Sequence, residues 1–334
     1  MEIRKLGRSG LLVSELCLGT MIFGEDSDRA TPPEVAERMI HSYLDAGGNF
    51  IDTANVYADG RSEEIVGRAL LGRRDQVVLA TKVRHRRGPG PNDDGLSRRH
   101  IMAEVENSLR RLQTDYIDLY YAHMWDDLTP IDETLRAFDD LVKAGKVRYI
   151  GVSNFTAWQI MKALAVSDAE RLARFVAAQY QHSLVVRDIE REFVDLFLAE
   201  GLGSVPWGPL GGGFLSGKYR RGDRPDSGRL ATTPDQHEEA WARRSTAQNW
   251  AVIDAVGAIA DARGKSYAQI ALNWLLCRRE VSSVIIGVRT PEQLADNLGA
   301  AGWFLSDEEQ AQLNKVAGLD LGYPYRMMAN QRRG

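Results

Sequence analysis

Four side chains could do chemistry if the fold brought them together: Asp52, Tyr57, Lys82 and His123. Asp52 ends a short apolar run, Asn49-Phe50-Ile51, and Tyr57 follows among loop-type residues. Lys82 closes "VVLATK" and His123 closes "DLYYAH". A lysine that ends an apolar strand must be paired or reach water. The chemistry that suits such a set is proton transfer by a phenol. A free phenol titrates near 10 and is a poor acid–base catalyst at neutral pH. An adjacent ammonium favours the phenolate and lowers that value. Asp52 would keep Lys82 charged and in place, and His123 would hydrogen-bond beside the reacting oxygen. Taken singly, each residue also has a structural reading. Asp52 could cap a turn, Tyr57 could pack with a wet hydroxyl, Lys82 could snorkel to water and His123 could be a satisfied core histidine. Four such groups at three successive strand ends favour a site.

The elements that would position them recur with a regular rhythm. Short apolar runs lie at 16–18, 50–52, 77–82, 116–121, 147–152, 177–180, 203–207 and 284–287. Between them lie amphipathic stretches at 33–46, 62–71, 99–112, 131–144, 156–164, 189–200, 247–263 and 291–298. Several carry end signals: Glu63-Glu64 in a first turn, and Lys143-Ala144-Gly145 as a cationic last turn with a glycine stop. Alternating strand and helix predicts a parallel sheet, and eight such units can close into a (β/α)8 TIM barrel. An open doubly wound sheet is the competitor. No G-x-G-x-x-G follows an early strand, and the early strands end in polar residues, as a barrel with its site at the strand C-termini would. Residues 2–14 read as an N-terminal β-hairpin turning at "GRSG". Segment 208–245 breaks the rhythm. Rich in Gly, Pro and charge, it is expected as a long loop after strand 7. No linker divides the chain, so 1–334 is expected as one domain.

Bulk properties exclude several classes. Hydrophobic residues make up 44% and charged residues 26%, which is ordinary for a globular chain. A net charge of −4 with only short Arg clusters (84–87, 220–221, 243–244) argues against nucleic acid, and the clusters read as solvated loops. No window approaches the ~18 apolar residues of a membrane helix, and the N-terminus has no signal-peptide pattern. Cys17 and Cys277 lack CxxC or metal-ligand spacing, so buried reduced thiols, no metal and a cytoplasmic location are expected. "GGFLSGKY" nearly mimics a phosphate-binding loop, but Tyr219 stands where the Mg²⁺-binding Ser/Thr should be. A metal-dependent barrel hydrolase would need a His/Asp cluster on the strand ends, and none is evident.

The stretches "FIDTANVY", "LATKV", "DLYYAHMWD" and "GVSNF" together resemble the signatures of the aldo-keto reductases. The resemblance runs from "LGRSGLLVSELCLGT" to "IIGVRTPEQLADN". It implies a barrel closed at its bottom by the hairpin, a catalytic tetrad of Asp52, Tyr57, Lys82 and His123 with Tyr57 as proton donor, and reversible reduction of aldehydes or ketones. It implies NADP(H) as cofactor. Ser153, Asn154 and Gln179 would hold the carboxamide and Trp207 would stack on the nicotinamide. "GPLGGGFLSGK", with Gly208, Pro209, Leu210, Gly212 and Lys218, would lie along the pyrophosphate, where glycines permit close backbone approach. Gly287 ends the eighth strand, and Arg289, just after it and beside a helix N-terminus, suits a 2′-phosphate. Gln293 and Asn297, one turn apart, could reach the adenine. Gly208 departs from the serine many members carry there, which removes one hydroxyl contact. Met21, Ile22, Phe23, Trp125, Arg84 and His85 should border the mouth. The partner would be a small carbonyl compound, and the chain a monomer or weak homo-oligomer. The alternative within the family is a cofactor-binding regulatory subunit of a membrane channel with slow turnover.

Overall fold

The computed structural model describes residues 1–27, 30–329 and 331. It opens with an antiparallel hairpin, β1 (Ile3–Lys5) and β2 (Leu12–Ser14). Eight parallel strands follow: β3 (Leu16–Gly19), β4 (Phe50–Asp52), β5 (Val78–Val83), β6 (Ile117–Ala122), β7 (Val147–Ser153), β8 (Phe175–Gln179), β9 (Gly203–Ser204) and β10 (Val284–Gly287). Their order is β10-β3-β4-β5-β6-β7-β8-β9. Backbone bonds from the β9 side to the chain entering β10 close the circle: Ser204 N–H to Glu280 C=O, Ser282 N–H to Ser204 C=O and Ile285 N–H to Pro206 C=O, each 2.9 Å. This is the expected (β/α)8 barrel.

Strand alternation sorts side chains onto two faces. Phe50, Val78, Ala80, Leu119, Tyr121, Ala177, Val205 and Ile285 fill the barrel interior with Cys17. Ile51, Leu79, Tyr120 and Ala122 face the helices. Leu6 and Val13 of the hairpin join the interior cluster from below. Gly7 N–H donates to Ser282 Oγ at 3.1 Å and Arg8 N–H to the Gly201 carbonyl at 2.8 Å, so the hairpin is a hydrogen-bonded plug. The same parity has a consequence at the other end. Asp52 follows Phe50, Lys82 follows Ala80, His123 follows Tyr121, Gln179 follows Ala177 and Trp207 follows Val205. Each is thereby aimed over the interior at the strand C-termini.

The structure departs from the sequence reading in places. Segment 208–245 is not a bare loop. It holds a 3-10 turn at Phe214–Ser216 and short helices at Arg229–Thr232 and Trp241–Arg244. Phe214, Leu230 and Trp241 anchor it in the core. Arg244 is 3% exposed, so that part of the Arg243-Arg244 patch is not solvated. The helix Tyr267–Leu276 was not expected, because it is buried nearly all round and only Gln269 and Asn273, one turn apart, interrupt its apolar surface. Asp307–Val316 and Tyr325–Ala329 are further helices beyond the expected series. Segment 189–200 splits into a 3-10 turn, Asp188–Arg191, and a helix, Phe193–Glu200. β9 stops at Ser204, two residues before Pro206, which cannot donate to a ladder. Cys17 is buried and Cys277 half-buried, both as free thiols. Among the described residues no helix is long and apolar enough to cross a membrane.

Candidate active site

A cleft of about 660 Å³ opens at the strand C-termini. Lys82 lies beneath it, fully buried behind the lining residues Asp52 and Tyr57, and its ammonium has three acceptors for its three protons. It donates to Asp52 Oδ1 at 2.5 Å, to the Thr53 carbonyl at 2.8 Å and to the Tyr57 hydroxyl at 3.2 Å. Because Lys82 donates to the phenol oxygen, the phenol's own proton is free to point into the cleft. Gln179 Nε2 donates to Asp52 Oδ2 at 2.8 Å, so both carboxylate oxygens are satisfied. His123 stands edge-on to Tyr57, ring centroids 6.0 Å apart, and its Nδ1 is buried without a partner. His85 packs edge-on against His123 at 4.6 Å and also lines the cleft.

Burial and charge set the protonation states. Burial alone would lower the Lys82 value, but the Asp52 carboxylate and then Tyr57 outweigh it and hold the lysine above its ordinary range. Burial raises Tyr57, and the Lys82 charge pulls against that rise without cancelling it. The expected lowering by Lys82 is therefore present, yet burial wins and the phenol holds its proton. Burial, then the Lys82 charge, pushes His123 well below the imidazole range. Burial and Arg84 lower His85 as well, so both imidazoles are neutral near pH 7.

Of the candidate residues, Asp52, Tyr57, His123, Ser153, Asn154, Gln179, Trp207, Gly208, Pro209, Leu210, Gly212, Lys218, Gly287, Arg289, Gln293 and Asn297 all line this one cleft. Asn154, at φ 53°, donates to the His123 carbonyl at 3.0 Å and to Ser153 Oγ at 2.9 Å. Ser153 donates to the Gln179 carbonyl at 2.7 Å. The glycine run is a cradle. Gly208, Gly211, Gly212 and Gly213 all have positive φ, and a Cβ on Gly213 would come within 3.1 Å of Lys218 Nζ. Burial, then the nearby Arg289 charge, lowers the Lys218 value, so two cations face the same end of the cleft. Arg289 N–H donates to Gln293 Oε1 at 2.9 Å, which ties the residue to the start of the helix Pro291–Leu298.

The mouth is only partly as expected. Met21, Ile22 and His85 line it, but Phe23 is fully buried in the core. Trp125 and Arg84 are not among the lining residues, and Trp125 packs edge-on against Phe155 at 5.0 Å. Sequence reasoning missed Arg229 and Glu239, which also line the cleft and form an ion pair. They sit in the long segment, where Gly228 (φ 89°) before Arg229 is one of several glycines at positive φ and does not single the pair out.

The aldo/keto reductase family profile matches residues 15–317. An uncharacterized oxidoreductase, YrpG, of Bacillus subtilis (strain 168) is 39% identical over 95% of this chain and 96% of its own length. A probable voltage-gated potassium channel subunit beta of Oryza sativa subsp. japonica is 38% identical over 90% of this chain and 91% of its own. Norsolorinic acid reductase stcV of Emericella nidulans is 36% identical, over 95% and 81%. The chain belongs to the aldo/keto reductase family.

Proposed function

We propose that the protein is an NADP(H)-dependent reductase of aldehydes or ketones, working reversibly. The observation that carries this is the bond from Lys82 to the Tyr57 hydroxyl, which leaves the phenol's proton facing the cleft. When bound, the dinucleotide supplies the hydride. Tyr57 gives its proton to the carbonyl oxygen and takes it back in the reverse direction. Lys82 stabilises the phenolate left behind, and Asp52 holds Lys82 charged. His123, kept neutral, offers a hydrogen bond beside the same oxygen without adding charge. Asn154 and Gln179 have spent amide N–H groups on His123, Ser153 and Asp52, so their amide oxygens remain to accept from a carboxamide. Trp207 offers a flat face for the ring.

The glycine cradle leaves room for phosphates, and Lys218 and Arg289 supply charge. The finer assignment to NADP(H) rests on Arg289. Arg289→Ala is expected to raise the NADPH dissociation constant roughly 10- to 150-fold, from the loss of about 1.5–3 kcal/mol of charge-assisted contact. NADH binding should change little, because NADH lacks the 2′-phosphate. Quenching of tryptophan fluorescence in titrations with both cofactors measures this. Equal weakening would reduce Arg289 to a loop-supporting role.

The rival reading is a cofactor-binding regulatory subunit with slow turnover, and the similarity to the rice subunit beta favours it. The tetrad does not separate the two. A panel of carbonyl compounds followed by NADPH absorbance, in both directions, does. Turnover of no panel member would favour the rival.

A further inference from the structure

The turn that carries Tyr57 has an unusual backbone. Ala58 and Asp59 have φ of 48° and 58°, and Gly60 follows at 92°. Residues with a Cβ rarely adopt this region, and two in succession persist only where the surroundings hold them. The holding groups come from β5, from the loop that leaves it and from the helix Arg98–Leu112. Asp59 accepts a hydrogen bond at 2.7 Å from Nη1 of Arg87, which lies on the loop leaving β5, just beyond Lys82. That loop is itself tied: Arg87 N–H donates to the Asp93 carbonyl and Gly95 N–H to the Arg84 carbonyl, each 2.8 Å. The Arg87 side chain is 14% exposed, although its carboxylate partner is 84% exposed. On the far side of the turn, Glu63 is fully buried and accepts from Thr81 and from Arg111, each 2.6 Å. Gly60 sits between the two arginines, where a Cβ would come within 2.9 Å of Arg111 Cδ and 3.5 Å of Arg87 Nη2. Thr81, Lys82 and Arg87 therefore contact the turn at three points: Glu63, the Tyr57 hydroxyl and Asp59.

We propose that Arg87 is a positioning residue for Tyr57. Its bond to Asp59 fixes the left-handed turn so that the phenol oxygen stays over Lys82. This role rests on Tyr57 being the proton donor. An ion pair with one exposed partner adds little to global stability, so the effect should fall on turnover and not on folding. A small misplacement of a reacting group lowers rate steeply, by as much as about 100-fold for 1 Å.

The test compares Arg87→Ala, Arg87→Lys and Asp59→Asn in the full chain, with NADPH and 4-nitrobenzaldehyde. For Arg87→Ala, kcat should fall about tenfold, a smaller displacement than the 1 Å case. The NADPH dissociation constant and the thermal midpoint should stay at wild-type values. Arg87→Lys should recover part of the rate, and Asp59→Asn should lose less than Arg87→Ala. The pH limb of alcohol oxidation should move up in Arg87→Ala, because a phenol displaced from Lys82 loses part of the field that lowers it. A kcat within twofold of wild type, an unmoved limb, or parallel losses of rate, cofactor affinity and midpoint would each overturn the role. If Arg87→Ala does not fold, Asp59→Asn decides on the same readouts. Tyr57→Phe retaining turnover would instead remove the proton-donor reading itself.

Discussion

Tyr57→Phe is expected to lower kcat for carbonyl reduction by about 10²–10⁴-fold, the usual contribution of a positioned general acid. The NADPH dissociation constant should not change. The substitution removes one oxygen, whose hydrogen-bond partner among the described residues is Lys82. The ring stays, so its edge contact with His123 survives. Among the groups that line the cleft beside Tyr57, no other is placed to replace the lost proton. His123 and His85 are both driven towards the neutral form by burial and by neighbouring cations. Asp52 has both oxygens committed to Lys82 and Gln179. Steady-state kinetics with NADPH and the best aldehyde of the panel measure the effect. A loss of less than tenfold would mean that water or an imidazole delivers the proton.

The fold was legible because its signal is repetitive. Each strand places alternate residues inside and outside, and eight repeats of that pattern with helices between them leave few topologies. The site followed from the same parity. Asp52, Lys82 and His123 each continue the inward-facing series of their strands, so strand ends alone indicate where they converge. Tyr57 was legible only beside the others, because a lone loop tyrosine five residues beyond Asp52 could equally pack with a wet hydroxyl.

What stayed hidden lacks local periodicity. Tyr267–Leu276 is apolar on most sides, with only Gln269 and Asn273 as polar residues, too few to show a helical period. In segment 208–245 the glycines and prolines mask Phe214, Leu230 and Trp241, which are spaced too widely to form any repeat. The Arg229–Glu239 pair and the Arg87–Asp59 pair join residues that nothing in the sequence links. Both are tertiary facts: the first folds the long segment back on itself, and the second joins the turn after β4 to the loop after β5. Phe23 was misplaced because an apolar residue after a strand suits a mouth and a core equally well.

Lys82→Met tests the remaining half of the proton-transfer machinery. Under the proposed mechanism Tyr57 is the phenolate in alcohol oxidation, so the rate should rise with pH as the phenol loses its proton. The positive charge of Lys82 favours that phenolate, against the upward push of burial. Removing the charge leaves burial unopposed, and the limb should move to higher pH. In reduction Tyr57 must be protonated, and the limb along which the rate falls should move up as well. Turnover near pH 7 should still collapse, by an expected factor of about 10² or more, because the phenolate that forms as the proton leaves has no counter-charge. The substitution also strands a buried carboxylate, and breaking such a pair typically costs about 3–5 kcal/mol. Lys82→Met/Asp52→Asn separates the two effects. The double variant removes the stranded charge and should regain stability in a denaturant titration, yet stay as slow as the single variant. If the double variant recovers activity together with stability, Lys82 supports the fold of the cleft floor and takes no part in moving the Tyr57 proton.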